Sequence, residues 1–200
     1  MCKNISLKKK LFFILGLVLV LVVGGFFYFS NREIKGNPDD YVIKETAEGK
    51  FVENEKAGLS MGILENWNVE IMDLEEGVTS ISSPDMVAEK KKGEIVIPIK
   101  DGCLIHAEIV YQRMDLDQLE EEARYTHNIA GRKLDEFEDV MVDGFPAIRN
   151  NFNTIDYGPG IGIYIPRNDK FFAFYLVWGP EEEKKCSSEF DKFLETVSIQ

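Results

Sequence analysis

The sequence predicts an α+β protein: a central antiparallel β-sheet flanked by helices, following an N-terminal transmembrane helix. Three patterns carry that expectation. Leu11 to Phe29 are nineteen consecutive apolar or glycine residues. Several later segments alternate apolar and polar residues, the period of a half-buried strand. Two further stretches, after Asp117 and after Glu181, repeat apolar residues at helical spacing.

As a helix, the first run would be about 28 Å long, close to the roughly 30 Å hydrocarbon core of a bilayer. Lys3, Lys8, Lys9 and Lys10 precede it without any acid, whereas residues 31–40 mix both signs of charge. Basic flanks stay in the cytoplasm, so residues 1–10 read as a cytoplasmic tail, 11–29 as the anchor, 30–40 as a linker and 41–200 as an extracytoplasmic domain. A cleaved secretory signal is the alternative, with Gly24 and Gly25 as small residues near a cleavage point. Phe26, Phe27, Tyr28 and Phe29 continue the apolar run past that point and suit an interfacial aromatic belt, which favours an uncleaved signal-anchor. Cys2 precedes the run and so cannot be the cysteine of a cleaved lipoprotein signal; a free thiol is preferred to palmitoylation. The glycines have no GxxxG spacing, so no dimerising helix face is implied. The only N-glycosylation sequon, Asn4-Ile5-Ser6, would face inside, which disfavours an ER glycoprotein and favours a single-pass protein of a bacterial cell membrane.

All 35 acidic residues follow residue 30, with 19 of the 23 basic ones, leaving a formal charge of −16 on the outer part. Such a surface repels nucleic acid and anionic headgroups and favours a soluble monomer. The remaining length is one ordinary domain with its own core.

Tyr41 to Asn54 reads as a lead-in with one short strand at Tyr41–Ile43. Leu59, Met61 and Ile63 alternate, as do Trp67, Val69 and Ile71 after the Glu65-Asn66 turn, and Val78 to Ser82 gives a third strand. Glu94 to Lys100 and Gly102 to Gln112 read as a hairpin around Asp101-Gly102, with Pro98 marking an edge. In the second of these strands Cys103, Ile105, Ala107, Ile109 and Tyr111 form the core face, opposite His106, Glu108 and Gln112. Asp117 and Glu120 resemble a capping box for a helix lined by Leu116, Leu119, Ala123 and Ile129 that ends near Gly131. Strands resume at Val140–Val142, Ala147–Phe152, Gly160–Ile165 and Phe171–Trp178, the last two joined by a turn over Pro166–Lys170. Glu181 to Val197 reads as a closing helix whose face of Cys186, Phe190, Phe193, Leu194 and Val197 packs on the sheet. Trp67 and Trp178 are expected to anchor the core.

The chemistry-bearing patterns are few. Cys103 and Cys186 are the outer cysteines, and both point inward on their elements, so a disulfide and two buried free thiols remain as alternatives. Asp115, Asp117, Glu120, Glu121 and Glu122 lack the spacing of a calcium loop and read as a solvated helix start. With only His106 and His127, no CxxC and no HExxH, no metal ligand set and no cofactor is expected. There is no GxSxG, and both histidines read as surface or helix-end residues. Gly158 to Gly162 leads into a strand and not a helix, so it is strand entry and not a phosphate loop. Asp143, Gly144, Phe145 and Pro146 make the most distinctive turn, in which Phe145 either plugs the core, the preferred reading, or is presented to a partner.

Glu55 to Met61 followed by Glu65-Asn66-Trp67 is similar to the opening strand pair of PsbP-like domains, with the family's Pro replaced. Val142 to Ala147 resembles their hairpin, and Phe190, Phe193 and Val197 before Ser198-Ile199 resemble their last element. The resemblance covers roughly residues 50–199. It implies an α/β/α sandwich around an antiparallel sheet, used in that family as an extrinsic binding or stabilising module. The expected function is therefore non-enzymatic: a membrane-anchored extracytoplasmic module that binds or stabilises an envelope protein. An envelope hydrolase and a carrier with an enclosed apolar pocket are the alternatives.

Overall fold

In the computed structural model the described residues are 34–35, 40–47, 49–72, 78–88, 99–129, 133–134, 136–154 and 158–200. The chain divides into Met1–Glu33 and Ile34–Gln200, and the fold below is that of the second unit. The expected anchor, Leu11–Phe29, lies outside the described residues, among which no helix is long and apolar enough to cross a membrane.

β1 (Ile34–Lys35) falls inside the stretch read as linker, and pairs with the end of a central strand. β2 (Val42–Thr46) and β3 (Gly49–Asn54) form a full hairpin where the sequence reads as a lead-in. The hairpin forms because Val52 is fully buried and sits between Ile43 and Met61 in the ladder. β4 (Leu59–Ile63) pairs with β3, whereas β5 (Asn68–Met72) belongs to another sheet. The Glu65-Asn66 turn, with Asn66 at a φ of 64°, therefore carries the chain between layers and does not make a hairpin.

β6 (Val78–Ser82) lies beside β5, and β7 (Val87–Ala88) pairs with β8 (Ile99–Asp101). Among the described residues β8 and β9 do not pair, so the hairpin expected around Asp101-Gly102 is not formed there. β9 (Cys103–Tyr111) pairs with β6 and with β14 (below), so both of its edges are taken by other strands. Gly102 has a φ of 77°, as expected of a tight turn, but a Cβ there would stand 2.6 Å from Ser83 Oγ and 2.7 Å from the backbone of Met86. The glycine serves a close crossing of chains. Pro98 lies outside the described residues.

α1 (Leu116–Ile129) is capped two residues earlier than the sequence suggests. Gln118 N donates to Asp115 Oδ1 at 2.9 Å and Asp115 N donates to Gln118 Oε1 at 3.0 Å, a reciprocal capping box. Glu120 instead pairs with Arg124. Gly131 lies outside the described residues. β10 (Lys133–Leu134), which the sequence does not mark, pairs with β12, while β11 (Glu138–Val142), β12 (Phe145–Thr154), β13 (Gly158–Arg167) and β14 (Lys170–Trp178) follow as expected, with longer strands than the sequence marks. α2 (Glu183–Leu194) is shorter than expected. Thr196 Oγ1 donates to Phe193 O, and the chain then turns into β15 (Ser198–Ile199), which takes the free edge of β4.

The large sheet runs β10-β12-β13-β14-β9-β6-β5, with β1 on β9 and β11 on β12; the small sheet runs β15-β4-β3-β2. On one face of the large sheet, Ile105, Ile109, Ile163, Phe172, Phe174 and Leu176 pack with Val52, Leu59 and Met61 of the small sheet and Phe190 and Phe193 of α2. Trp67 and Trp178 lie in this layer, as expected. Burying such side chains contributes roughly 1.5–3 kcal/mol each relative to exposure. On the other face, α1 sets Leu119 and Ala123 against Val110, Ile148, Tyr164 and Phe171. Helical layers on both sides of an antiparallel sheet make the expected α+β sandwich.

Candidate partner-contact groove

Three segments converge at the end of the large sheet where β9, β12, β13 and β14 meet loops. The first runs from the end of β9 into the cap of α1. The second is the β11–β12 turn, in which Asp143 and Gly144 adopt φ values of 49° and 77°. Asp-Gly suits such a turn because both positions need positive φ. The third is the β13–β14 turn, with Asn168 at a φ of 37°. Between them lies an open groove of about 710 Å³, walled by Arg113, Met114, Leu116, Phe145, Pro146 and Arg167.

The four turn residues singled out by sequence divide here. Phe145 and Pro146 line the groove. Asp143 turns away: its Oδ2 accepts a 2.6 Å hydrogen bond from Ile199 N and ties the hairpin to β15. Gly144 is the exposed tip, with open space where a Cβ would stand. Phe145 packs on the core, as the plug reading has it, while Arg167 sets its guanidinium 3.9 Å over the ring. Such a cation–π contact contributes about 0.5–1 kcal/mol at an exposed site.

The groove's charges are unevenly committed. Asp115 caps α1, whereas Arg113 and Arg167 have no carboxylate partner among the described residues. Sequence reasoning missed both arginines, because nothing local distinguishes them from other surface cations; only the meeting of two turns with a helix start puts them together. β1 pairs Ile34 with Tyr111, two residues before Arg113, so the unit's first described residues lie at this same end.

The cysteines meet: Cys103 on β9 and Cys186 on α2 form a disulfide with Cα atoms 5.5 Å apart, both fully buried. The free-thiol alternative is replaced by this bond. Among the described residues, the acidic cluster included, no group of three or more His, Cys, Asp and Glu is arranged to hold an ion. Gly160 and Gly162 are packing positions, since a Cβ at Gly160 would stand 2.4 Å from the Phe152 ring.

His106 departs from the surface reading. It is half-buried, and burial lowers its pKa to about 4, so the ring is neutral at pH 7. It occupies a polar row across the sheet, in register Ser80, His106, Tyr175, Gly162 and Asn150. Desolvation by burial is the cause of the shift. The side chain of His127 lies outside the described residues.

No family model and no curated sequence matches the chain. Among the solved structures that resemble it are three at 12% identity each. The solution structure of cyanobacterial PsbP from Synechocystis sp. PCC 6803 matches with a TM-score of 0.42, over 68% of this chain and 94% of that one. LpqN of Mycobacterium tuberculosis, described as involved in cell envelope biogenesis, matches at 0.45 over 71% and 83%. PA94 of Pseudomonas aeruginosa, a protein of unknown function, matches at 0.42 over 80% and 97%. The first belongs to the family whose strand pair, hairpin and closing helix the sequence resembles. The likeness is one of fold.

Proposed function

We propose that the protein is a single-pass, membrane-anchored extracytoplasmic binding module that engages an envelope protein through the groove of Phe145, Pro146, Arg113 and Arg167. The observation that carries this reading is the groove itself: an open, partly apolar cleft at the sheet end where the chain enters the domain. An anchor at Leu11–Phe29 in the same chain would hold the domain near the outer leaflet, among other membrane proteins. The formal charge of −16 opposes docking on anionic headgroups and leaves protein as the favoured partner.

The test is photocrosslinking of the full chain in native membranes, with a probe at Asn168 in the groove and a control probe at Lys44 on β2. A discrete heterologous protein adduct is expected from Asn168 and not from Lys44. Equal, diffuse labelling from both positions would defeat the proposal.

A further inference from the structure

We infer that the groove is selective for a partner segment carrying carboxylates beside an apolar side chain; this rests on the binding-module reading and names its partner class. Apolar groups of Met114, Leu116, Phe145 and Pro146 form its walls, while Arg113 and Arg167 bring two cations to it. Neither cation is paired with a carboxylate among the described residues. Arg167 is held over the Phe145 ring, which fixes its position while leaving its N–H donors unused. A pre-positioned guanidinium loses less freedom on meeting a carboxylate than a solvated one does.

The charge of the rest of the domain sharpens the choice. With a formal −16 spread over the outer part, an acidic segment is repelled from most of the surface. Here Arg113 and Arg167 balance Asp115 and Asp117 of the same lining, so the groove is formally neutral within an acidic surface, and Asp115 is already engaged by the backbone at the start of α1. Asp117, which also lines the groove, disfavours a continuously acidic segment. The fit is therefore a carboxylate flanking an aromatic or aliphatic anchor, so that the anchor enters beside Phe145 and Met114 and the carboxylate reaches Arg113 or Arg167. Attraction at one place and repulsion elsewhere is how a charged surface fixes the register of a partner.

The experiment uses the full chain, labelled with ¹⁵N and held in uncharged nanodiscs, titrated with three blocked peptides that differ only in charge: Glu-Phe-Pro-Glu, Gln-Phe-Pro-Gln and Lys-Phe-Pro-Lys. Saturable shifts of the Arg113, Arg167 and Asn168 amides are expected with the glutamate peptide. The glutamine peptide should bind about fivefold more weakly, and the lysine peptide should not saturate. Arg113→Gln and Arg167→Gln should each remove most of the preference for glutamate over glutamine, while the spectrum elsewhere is unchanged, which shows that the variants are folded. Equal binding of glutamate and lysine peptides, or saturable shifts confined to other residues, would overturn the inference. So would two other occupants: phosphatidylglycerol nanodiscs shifting the same amides with no peptide present, or an Asn168 crosslink that joins two copies of this chain. A heterologous Asn168 adduct with no glutamate preference would sink the partner class and leave the binding module standing; failure of the crosslink itself would sink the module.

Discussion

The two faces of the large sheet are made from the same strands and are built differently. The inner face is nearly continuous: Ile105, Ala107, Ile163, Phe172, Phe174 and Leu176 meet the small sheet, α2 and the disulfide, and the fully buried Thr79, opposite Ala107, is a polar side chain in that row of strands. The outer face is interrupted. Between the apolar patch under α1 and a smaller one of Ile99, Phe152 and Val177 runs the polar row of Ser80, His106, Tyr175 and Asn150. Asn150 is 1% exposed, and neither atom of its amide has a hydrogen-bond partner. An unpaired buried amide costs about 1–3 kcal/mol. Apolar burial is thus greatest on the inner face, where Thr79 is a buried polar side chain, whereas the outer face carries a row of them across several strands.

The difference can be tested, beginning where the loss of stability should be greatest. Replacing Cys103 and Cys186 by serine opens a loop with a sequence separation of 83 residues. In the chain-entropy model this lowers stability by about 4–5 kcal/mol, read as a fall in the urea midpoint with a steeper slope, because the uncrosslinked unfolded chain is less compact. Phe193→Ala, which removes a fully buried ring edge-on to Phe174 and stacked on Phe190, is expected to cost about 3–5 kcal/mol. On the outer face, Asn150→Leu should cost far less or be neutral, since it replaces an unsatisfied amide by an apolar group of similar size. A loss as large as that of Phe193→Ala would show that the outer face is as tightly specified as the inner one.

His106 gives the outer face a pH dependence. Its folded pKa is lowered, so the unfolded chain takes up a proton first as pH falls. Stability is unaffected above about pH 6.5 and is lost between there and pH 4, by roughly 2–3 kcal/mol. Urea melts of His106→Gln should lose that slope across the same window. A small loss lies at the rim: Asp115→Ala removes the cap of α1 and should cost about 1 kcal/mol, visible as faster amide exchange in the first turn of the helix.

The sequence, taken alone, determined the element types, because period two and period 3.6 record which side of each segment meets water. It marked the inner face through Cys103 to Tyr111 and through Cys186, Phe190 and Phe193, and it placed both cysteines on facing layers. Alternation says which face is buried and not which strand lies alongside, so strand pairing is where expectation and structure part. β9 lies between β6 and β14 instead of joining a hairpin at Gly102, and β4 and β5 separate into different sheets. The cap at Asp115 competed with a plausible one at Asp117, and only backbone geometry distinguishes the two. His106 read as a surface residue because alternation cannot tell an outer face that is solvated from one covered by a second layer. Tertiary structure alone decided the groove, since Arg113, Phe145 and Arg167 come from three segments far apart in sequence, and their proximity is set by strand order.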